Sequence, residues 1–236
     1  YMTPAVTRVY ADNGDVIGEF YLEKRYPISL TQAPPVVQQA FLAAEDANFY
    51  YHPGVDFFGM ARAFLSNWSA GRKLQGGSTI TQQVVKYLLL TPEKSYRRKM
   101  QEIILSLRLE RRLSKREIFE LYLNQIYLGS GAYGVEAAAR EYFGKSAEAL
   151  SLAEAAMLAG LPPAPSRYSP FKNWEQAKIR QRYVLERMMD EHFVSYAQAM
   201  EAWQAPVSLV AVQSEEEPSS PAPYYVEHIR QILQRR

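Results

Sequence analysis

The sequence predicts a mainly α-helical fold carrying one small N-terminal β-hairpin. Three observations point there. Helix-entry signals recur at Pro34-Pro35, Ser78-Thr79, Thr91-Pro92-Glu93, Ser114-Lys115-Arg116-Glu117 and Ser151-Leu152-Ala153-Glu154, each ahead of a run of helix formers. Breakers such as Pro53-Gly54 and Pro162-Pro163 separate those runs. Only residues 7–21 carry a β pattern, two short β-prone runs around Asn13-Gly14, so this hairpin is expected to be peripheral and the only sheet of note.

Residues 34–42 read as a helix that delivers Glu45 near its carboxyl end, where the backbone dipole disfavours another negative charge. Phe41, Phe49, Tyr50 and Tyr51 surround that position with aromatic surface. Desolvation and dipole both push the Glu45 pKa upward, which suits a proton acceptor near neutral pH. The simpler account of this stretch alone is a hydrogen-bonded acid at a helix end. Residues 55–74 follow, mixing Phe57, Phe58, Met60, Phe64, Leu65 and Trp68 with Arg62, Arg72 and Lys73. That mixture suits a membrane surface, although most such stripes are core.

Gly76-Gly77 then opens a helix capped at Ser78 or Thr79, with Thr79, Gln83 and Lys86 on one face at i, i+4 and i+7. A polar stripe ending in lysine behind a glycine-rich entry suggests a phosphate seat; a well-capped amphipathic helix is the alternative. The next helix, entered at Thr91-Pro92-Glu93 and running to about Leu113, carries Lys94, Arg97, Arg98 and Lys99 ahead of Glu102. Arg98 and Lys99 share a face with Glu102, making it a second carboxylate with the opposite bias.

Gly129-Ser130-Gly131-Ala132-Tyr133-Gly134 matches the dinucleotide fingerprint literally, but it follows a helix and no parallel-strand pattern surrounds it. No nucleotide cofactor is expected, and these glycines are read as letting two helices meet tightly. Ser169-Pro170-Phe171-Lys172 matches S-x-x-K by chance, since proline interrupts the turn and no K-T-G follows. Residues 174–205 hold two more helical segments. Residues 214–223 are an acidic, proline-rich linker, after which a further element begins.

A length of 236 residues allows one main domain with a sizeable core and a tail. The net charge of +2 excludes the global field of a nucleic-acid binder. Without cysteine there is no disulfide or thiol chemistry, and three histidines alone argue against zinc. No apolar run approaches the roughly 20 residues that cross a bilayer. The chain opens on Tyr1 with no signal peptide and stops inside a helical pattern, so it reads as a piece of a longer protein.

Five stretches together resemble the peptidoglycan glycosyltransferase (family 51) domain of class A bacterial penicillin-binding proteins. They are Glu45-Asp46-x-x-Phe49-x-x-His52-x-Gly54, Gly77-Ser78-Thr79-Ile80-Thr81-Gln82-Gln83, Arg98-Lys99-x-x-Glu102, Tyr122-Leu123-Asn124-x-x-Tyr127-x-Gly129-x-Gly131-x-Tyr133-Gly134 and Glu154-Ala155-Ala156-x-Leu158-Ala159. The resemblance implies a lysozyme-like, two-lobed helical domain over residues 34–209, behind a hairpin and lead-in at 1–33. Residues 210–236 would pass toward a transpeptidase region. It further implies polymerisation of lipid II into β-1,4-linked glycan strands, by inversion, with release of undecaprenyl pyrophosphate. Carried over by position, Glu45 is the catalytic base and Glu102 supports the pyrophosphate side, directly or through a divalent cation (Mg2+ or Mn2+). Asp46, Phe49, His52, Ser78, Thr79, Gln83, Lys86, Lys94, Arg98 and Lys99 are implied to bind substrate. Lys94 stands where relatives often have arginine, a point charge in place of a fork. Implied partners are lipid II, the growing glycan chain, the membrane surface and phosphoglycolipid inhibitors of the moenomycin type. The implied location is the outer, periplasmic face of the cytoplasmic membrane, with an N-terminal transmembrane anchor. The rival readings are a lysozyme-like hydrolase or lytic transglycosylase, for which the cations between Lys86 and Lys99 have no purpose, and a non-catalytic scaffold.

Overall fold

The structure, a computed structural model, describes residues 7–10, 16–20, 24–59, 77–90 and 95–210, with side chains from Tyr26 onward. The hairpin turn at Asn13-Gly14, most of the aromatic and basic segment after Gly59, Lys94 and the linker after Val210 lie outside the described residues. The fold is mainly helical, as predicted. Strands β1 (Thr7–Tyr10) and β2 (Val16–Phe20) pair antiparallel. A second small sheet was not foreseen: β3 (Lys24–Arg25) runs parallel to β4 (Ala132–Tyr133). Two-residue strands carry too little pattern to be read from sequence.

Helix α1 (Pro35–Glu45) begins with proline in its first turn and ends where Asp46 leaves helical geometry. Helix α2 (Ile80–Leu89) opens on a Thr79/Gln82 capping box. Helix α3 (Tyr96–Glu110) is capped by the Ser95 hydroxyl, which accepts from the Arg98 amide, so it starts later than the Thr91-Pro92 signal suggested. Capping boxes at Ser114/Glu117 and Ser151/Glu154 start α4 (Lys115–Gln125) and α6 (Leu152–Ala159) as expected. Between them stands α5 (Val135–Phe143), ended by left-handed Gly144. A single turn, α7 (Pro165–Tyr168), leads to α8 (Trp174–Asp190) and α9 (Tyr196–Gln204).

Two groups of helices emerge. Helices α1, α6, α8 and α9 pack together, and α2 packs on α3 and α4. Helix α6 is alanine-rich and almost wholly buried, so α1 and α8 can lie close along it. Phe41 of α1 meets Tyr122 of α4 edge-on with ring centres 6.1 Å apart, joining the groups through the core. The lead-in is tied down as well: the Asn124 amide both donates to and accepts from the backbone of Ile28, and Glu120 accepts from the Leu30 amide. Glu45, at the end of α1, therefore sits where one group meets the other.

The fingerprint-like glycines do join two helices. Gly134, at φ 85° and ψ 161°, caps α5 in a backbone region open essentially to glycine alone. A Cβ there would lie 2.8 Å from the Asn124 carbonyl oxygen at the end of α4. Gly131 also has positive φ, but a Cβ on it would meet nothing within 4 Å. Gly134→Ala is expected to cost more than the roughly 1–3 kcal/mol of backbone strain alone, because the clash adds to it. Gly131→Ala should cost only the strain. Denaturant unfolding of both variants checks the order, and equal losses would contradict it.

Candidate active site

The chain turns sharply after Glu45, and the turn is held by side chains rather than by bulk. Asp46, buried, accepts from the Ile80 amide at the first residue of α2 at 3.0 Å. Both its oxygens also lie 3.0 Å from His52 Nε2. His52 Nδ1 accepts from the Gly54 amide, which leaves Nε2 to carry the proton and donate it toward Asp46. Thr79 then closes the loop, its hydroxyl donating to the Gly54 carbonyl at 2.6 Å. Gly54 has φ +92°, and a Cβ there would sit 2.8 Å from Glu110 Cγ, so glycine is needed for the close approach to α3. Lys115 fastens the far side by donating to the His52 carbonyl and to Glu110, above the Phe49 ring at 4.3 Å.

This clasp delivers Glu45 to α2. Gln83 Nε2 donates to Glu45 Oε2 at 2.7 Å across the two helix groups. Glu45 Oε1 is shut off from solvent, and no described residue donates to it. Burial pushes the Glu45 pKa above its ordinary value; the Gln83 hydrogen bond and the charge of Arg180 pull it back, and Asp46 adds a smaller upward push. Tyr122, fully buried beneath, has a hydroxyl without a partner among the described residues and a pKa raised well above the usual phenol value, mainly by burial.

The second carboxylate lies beside the first turn of α2. Glu102, only 3 % exposed, accepts from Lys99 Nζ and lies 3.6 Å from Arg98 Nη1. Lys99 also donates to the Ser78 hydroxyl at 3.0 Å. Lys86, exposed near the end of α2, lies over the Tyr87 ring at 5.2 Å. Ser78, one residue before the Thr79 cap, and Gln83, one turn beyond it, thus attach the Glu102 cluster and Glu45 to the same short piece of α2. An α-helical turn advances about 5.4 Å, so the two carboxylate systems are neighbours along that helix.

The structure brings together Glu45, Gln83, Ser78, Arg98, Lys99 and Glu102. It moves others back from the site. Phe49 is 0 % exposed and packs on Tyr50, His52 and Phe119, so it supports rather than touches a ligand. Asp46, His52 and Thr79 are buried with their polar atoms engaged in the clasp, which makes them its builders instead of contact residues. Thr79 is hence not part of an exposed stripe with Gln83 and Lys86. For a divalent cation the described residues offer no all-protein cage, so Glu102 would need substrate phosphates beside it. Both Glu102 oxygens face cations already, and no cluster of three potential ligands exists among the described residues. Arg180 was missed from sequence, since nothing local distinguishes it from Arg182 or Arg187 on the same helix.

The sign of the Glu45 shift makes a stability prediction. A carboxyl whose folded pKa is raised adds its full stability below the ordinary value of 4.5, and that contribution is lost as pH climbs through the raised value. Glu45→Gln mimics the protonated form and keeps an acceptor for Gln83. It is expected to raise Tm at neutral pH, with the gain vanishing below about pH 4.5. A gain independent of pH in thermal melts would contradict the buried charge.

Comparison with known proteins identifies the family. The transglycosylase family profile matches residues 13–189. Penicillin-binding protein 1A of Rickettsia prowazekii is 44 % identical over 234 residues, covering 98 % of this chain and 30 % of the relative. Penicillin-binding protein 1A of Aquifex aeolicus is 48 % identical over 206 residues, covering 87 % of this chain and 28 % of that protein. The crystal structure of penicillin-binding protein 1A from Haemophilus influenzae superposes with a TM-score of 0.56 at 28 % identity, over all of this chain and 25 % of that one. The chain thus spans under a third of the length of these relatives. On this match the chain belongs to the transglycosylase family, as a peptidoglycan glycosyltransferase domain of the kind found in class A penicillin-binding proteins.

Proposed function

We propose that the chain polymerises lipid II into β-1,4-linked glycan strands, releasing undecaprenyl pyrophosphate by a single inverting displacement. The observation that carries this reading is the pairing of a half-satisfied Glu45, one oxygen of which is out of solvent, with a cationic cluster reached along one turn of α2. The Glu45 carboxylate takes the proton of the acceptor 4-hydroxyl as the hydroxyl oxygen bonds to the donor's anomeric carbon. The bond from that carbon to the phosphate oxygen breaks on the opposite face. The pyrophosphate leaves with its electron pair and needs cations more than a strong general acid. Lys99, Arg98 and Lys86 supply them, with Glu102 holding Lys99 and Arg98 in place and Ser78 steadying Lys99. Gln83 fixes the orientation of Glu45.

A lipid-tailed substrate requires a site beside a membrane. Tyr51, Phe57 and Phe58, just after the Glu45 turn, are 89 %, 59 % and 91 % exposed, which supports contact of this edge with the lipid surface. No helix of the described residues is long and apolar enough to cross a membrane. The remaining reading places the domain on the periplasmic side of the cytoplasmic membrane. It would be anchored by a preceding transmembrane helix and followed by a transpeptidase domain. Phosphoglycolipids of the moenomycin type, with a phosphate among sugars and a lipid tail, would compete for the same cations.

Incubation with lipid II separates the readings: the transferase yields long polymer, a hydrolase shortens existing strands, and a scaffold does neither. Glu45→Gln is expected to lower polymerisation by about 10²–10⁴-fold while lipid II binding persists. Turnover near that of the unaltered chain would overturn the assignment. Lys86→Ala and Arg98→Ala are expected chiefly to weaken donor binding, seen as a raised KM. Unchanged lipid II affinity in both would argue against the phosphate seat.

A further inference from the structure

A groove between α8 and α9 is lined by none of the residues around Glu45 and Glu102, and the proposed reaction leaves it unused. It encloses about 580 Å³. Trp174, Lys178, Arg182 and Glu186 stand at i, i+4, i+8 and i+12 on α8, so they share one face of that helix. Tyr183 joins them, and Trp203 of α9 supplies the other wall. The wall is held in place: Lys178 Nζ donates to the Trp203 carbonyl at 2.9 Å and lies over the Trp203 ring at 4.1 Å. The Arg182 guanidinium lies 6.0 Å from the same ring, and its Nε donates to Glu186. Trp174 nevertheless stays exposed, as does Ile179 next to Lys178.

Glu186 is neutralised by Arg182, whereas Lys178 has no ion-pair partner among the described residues. Flat aromatic walls beside an unpaired cation suit a proline-rich segment with acidic neighbours. Prolines stack on such rings and bring little conformational freedom to lose. The chain carries a segment of this kind, Glu215-Glu216-Glu217-Pro218-Ser219-Ser220-Pro221-Ala222-Pro223, outside the described residues. Its length fits. Seven residues lead from Trp203 to Val210, the last described residue, so the two are at most about 25 Å apart. Eight more reach Pro218 and span about 28 Å when extended, enough to return to the groove. In the polyproline conformation Glu217 to Pro221 covers about 12 Å, and Trp174 to Arg182 covers about the same along α8.

We propose that residues 215–223 dock in the α8/α9 groove of their own chain, with prolines against Trp174 and Trp203 and an acidic residue on Lys178. A simple anion in the groove would leave the rings unused, and a purely apolar partner would cover Lys178 without pairing it. Docked there, the chain turns back onto the domain it has just left. Everything from Tyr224 onward then departs from the α8/α9 face, and the groove sets where that following region stands. The docking takes no part in the reaction and is independent of the substrate.

The chain has no cysteine, so a pair of introduced thiols reports the contact without background. In the full chain, Ile179→Cys in the groove is combined with Ser219→Cys between the prolines. Met100→Cys, at an exposed position of α3, combined with Ser219→Cys is the comparison. Under mild oxidation in dilute solution, the groove pair is expected to close within one chain at least about tenfold faster than the comparison pair. Trp174→Ala, or Glu215→Lys with Glu216→Lys and Glu217→Lys, is expected to shrink that preference. Equal rates for the two pairs, or cross-linking only between chains, would overturn the proposal. So would a preference unchanged by both sets of substitutions, since rings and charge would then play no part. Titration with chitotetraose, followed by tryptophan fluorescence, tests a sugar as the occupant. Saturable quenching together with equal cross-linking rates would give the groove to glycan and overturn the proposal.

Discussion

The hydrogen bond from the Ile80 amide to Asp46 is the constraint on which the rest depends. It joins the residue after α1 to the first residue of α2, across 34 positions of chain. A helix N-terminus carries free N–H groups and partial positive charge, so a buried carboxylate there is among the better ways to seal it. His52 satisfies the remaining face of Asp46, and Thr79 and Gly54 lock the backbone around it. Once α2 starts at that point, Gln83 arrives one turn later and meets Glu45. Asp46, next in sequence to Glu45, therefore does structural work that places its neighbour.

The two carboxylates owe their opposite characters to what surrounds them. Glu45 ends a helix against buried rings and has one hydrogen-bond donor, so the neutral form is favoured relative to an exposed glutamate. Glu102 is the more deeply buried residue and has Lys99 and Arg98 on its own helix face, at i−3 and i−4. A lone buried charge is costly, whereas one with two cations is supported. Glu45 is thus left with one neutral donor, whereas Glu102 faces two cations.

Much of this was legible from residues in sequence. The capping boxes at Ser114 and Ser151 and the cap at Thr79 appear where side-chain chemistry predicted, because local hydrogen bonds decide them. Glu45 at a helix end was likewise readable, and so was the Arg98, Lys99 and Glu102 face. What was not legible depends on distant partners. Thr79, placed on an exposed stripe by helical spacing, turns inward to a carbonyl 25 residues away. Phe49 and His52 fall within a motif that marks the site, yet they are buried in its foundation. Arg180 becomes visible only when α6 and α8 lie together, since its anchor is a carbonyl 20 residues earlier.

Titration of the Glu45 side-chain carboxyl by ¹³C NMR in the folded chain tests the central claim most directly, because the clasp matters through what it does to that one group. The account predicts a titration midpoint above the ordinary 4.5, from burial only partly offset by Gln83 and Arg180. A midpoint at or below 4.5 would mean that the carboxyl is solvated or strongly paired, and Glu45 would lose its distinction from any surface glutamate.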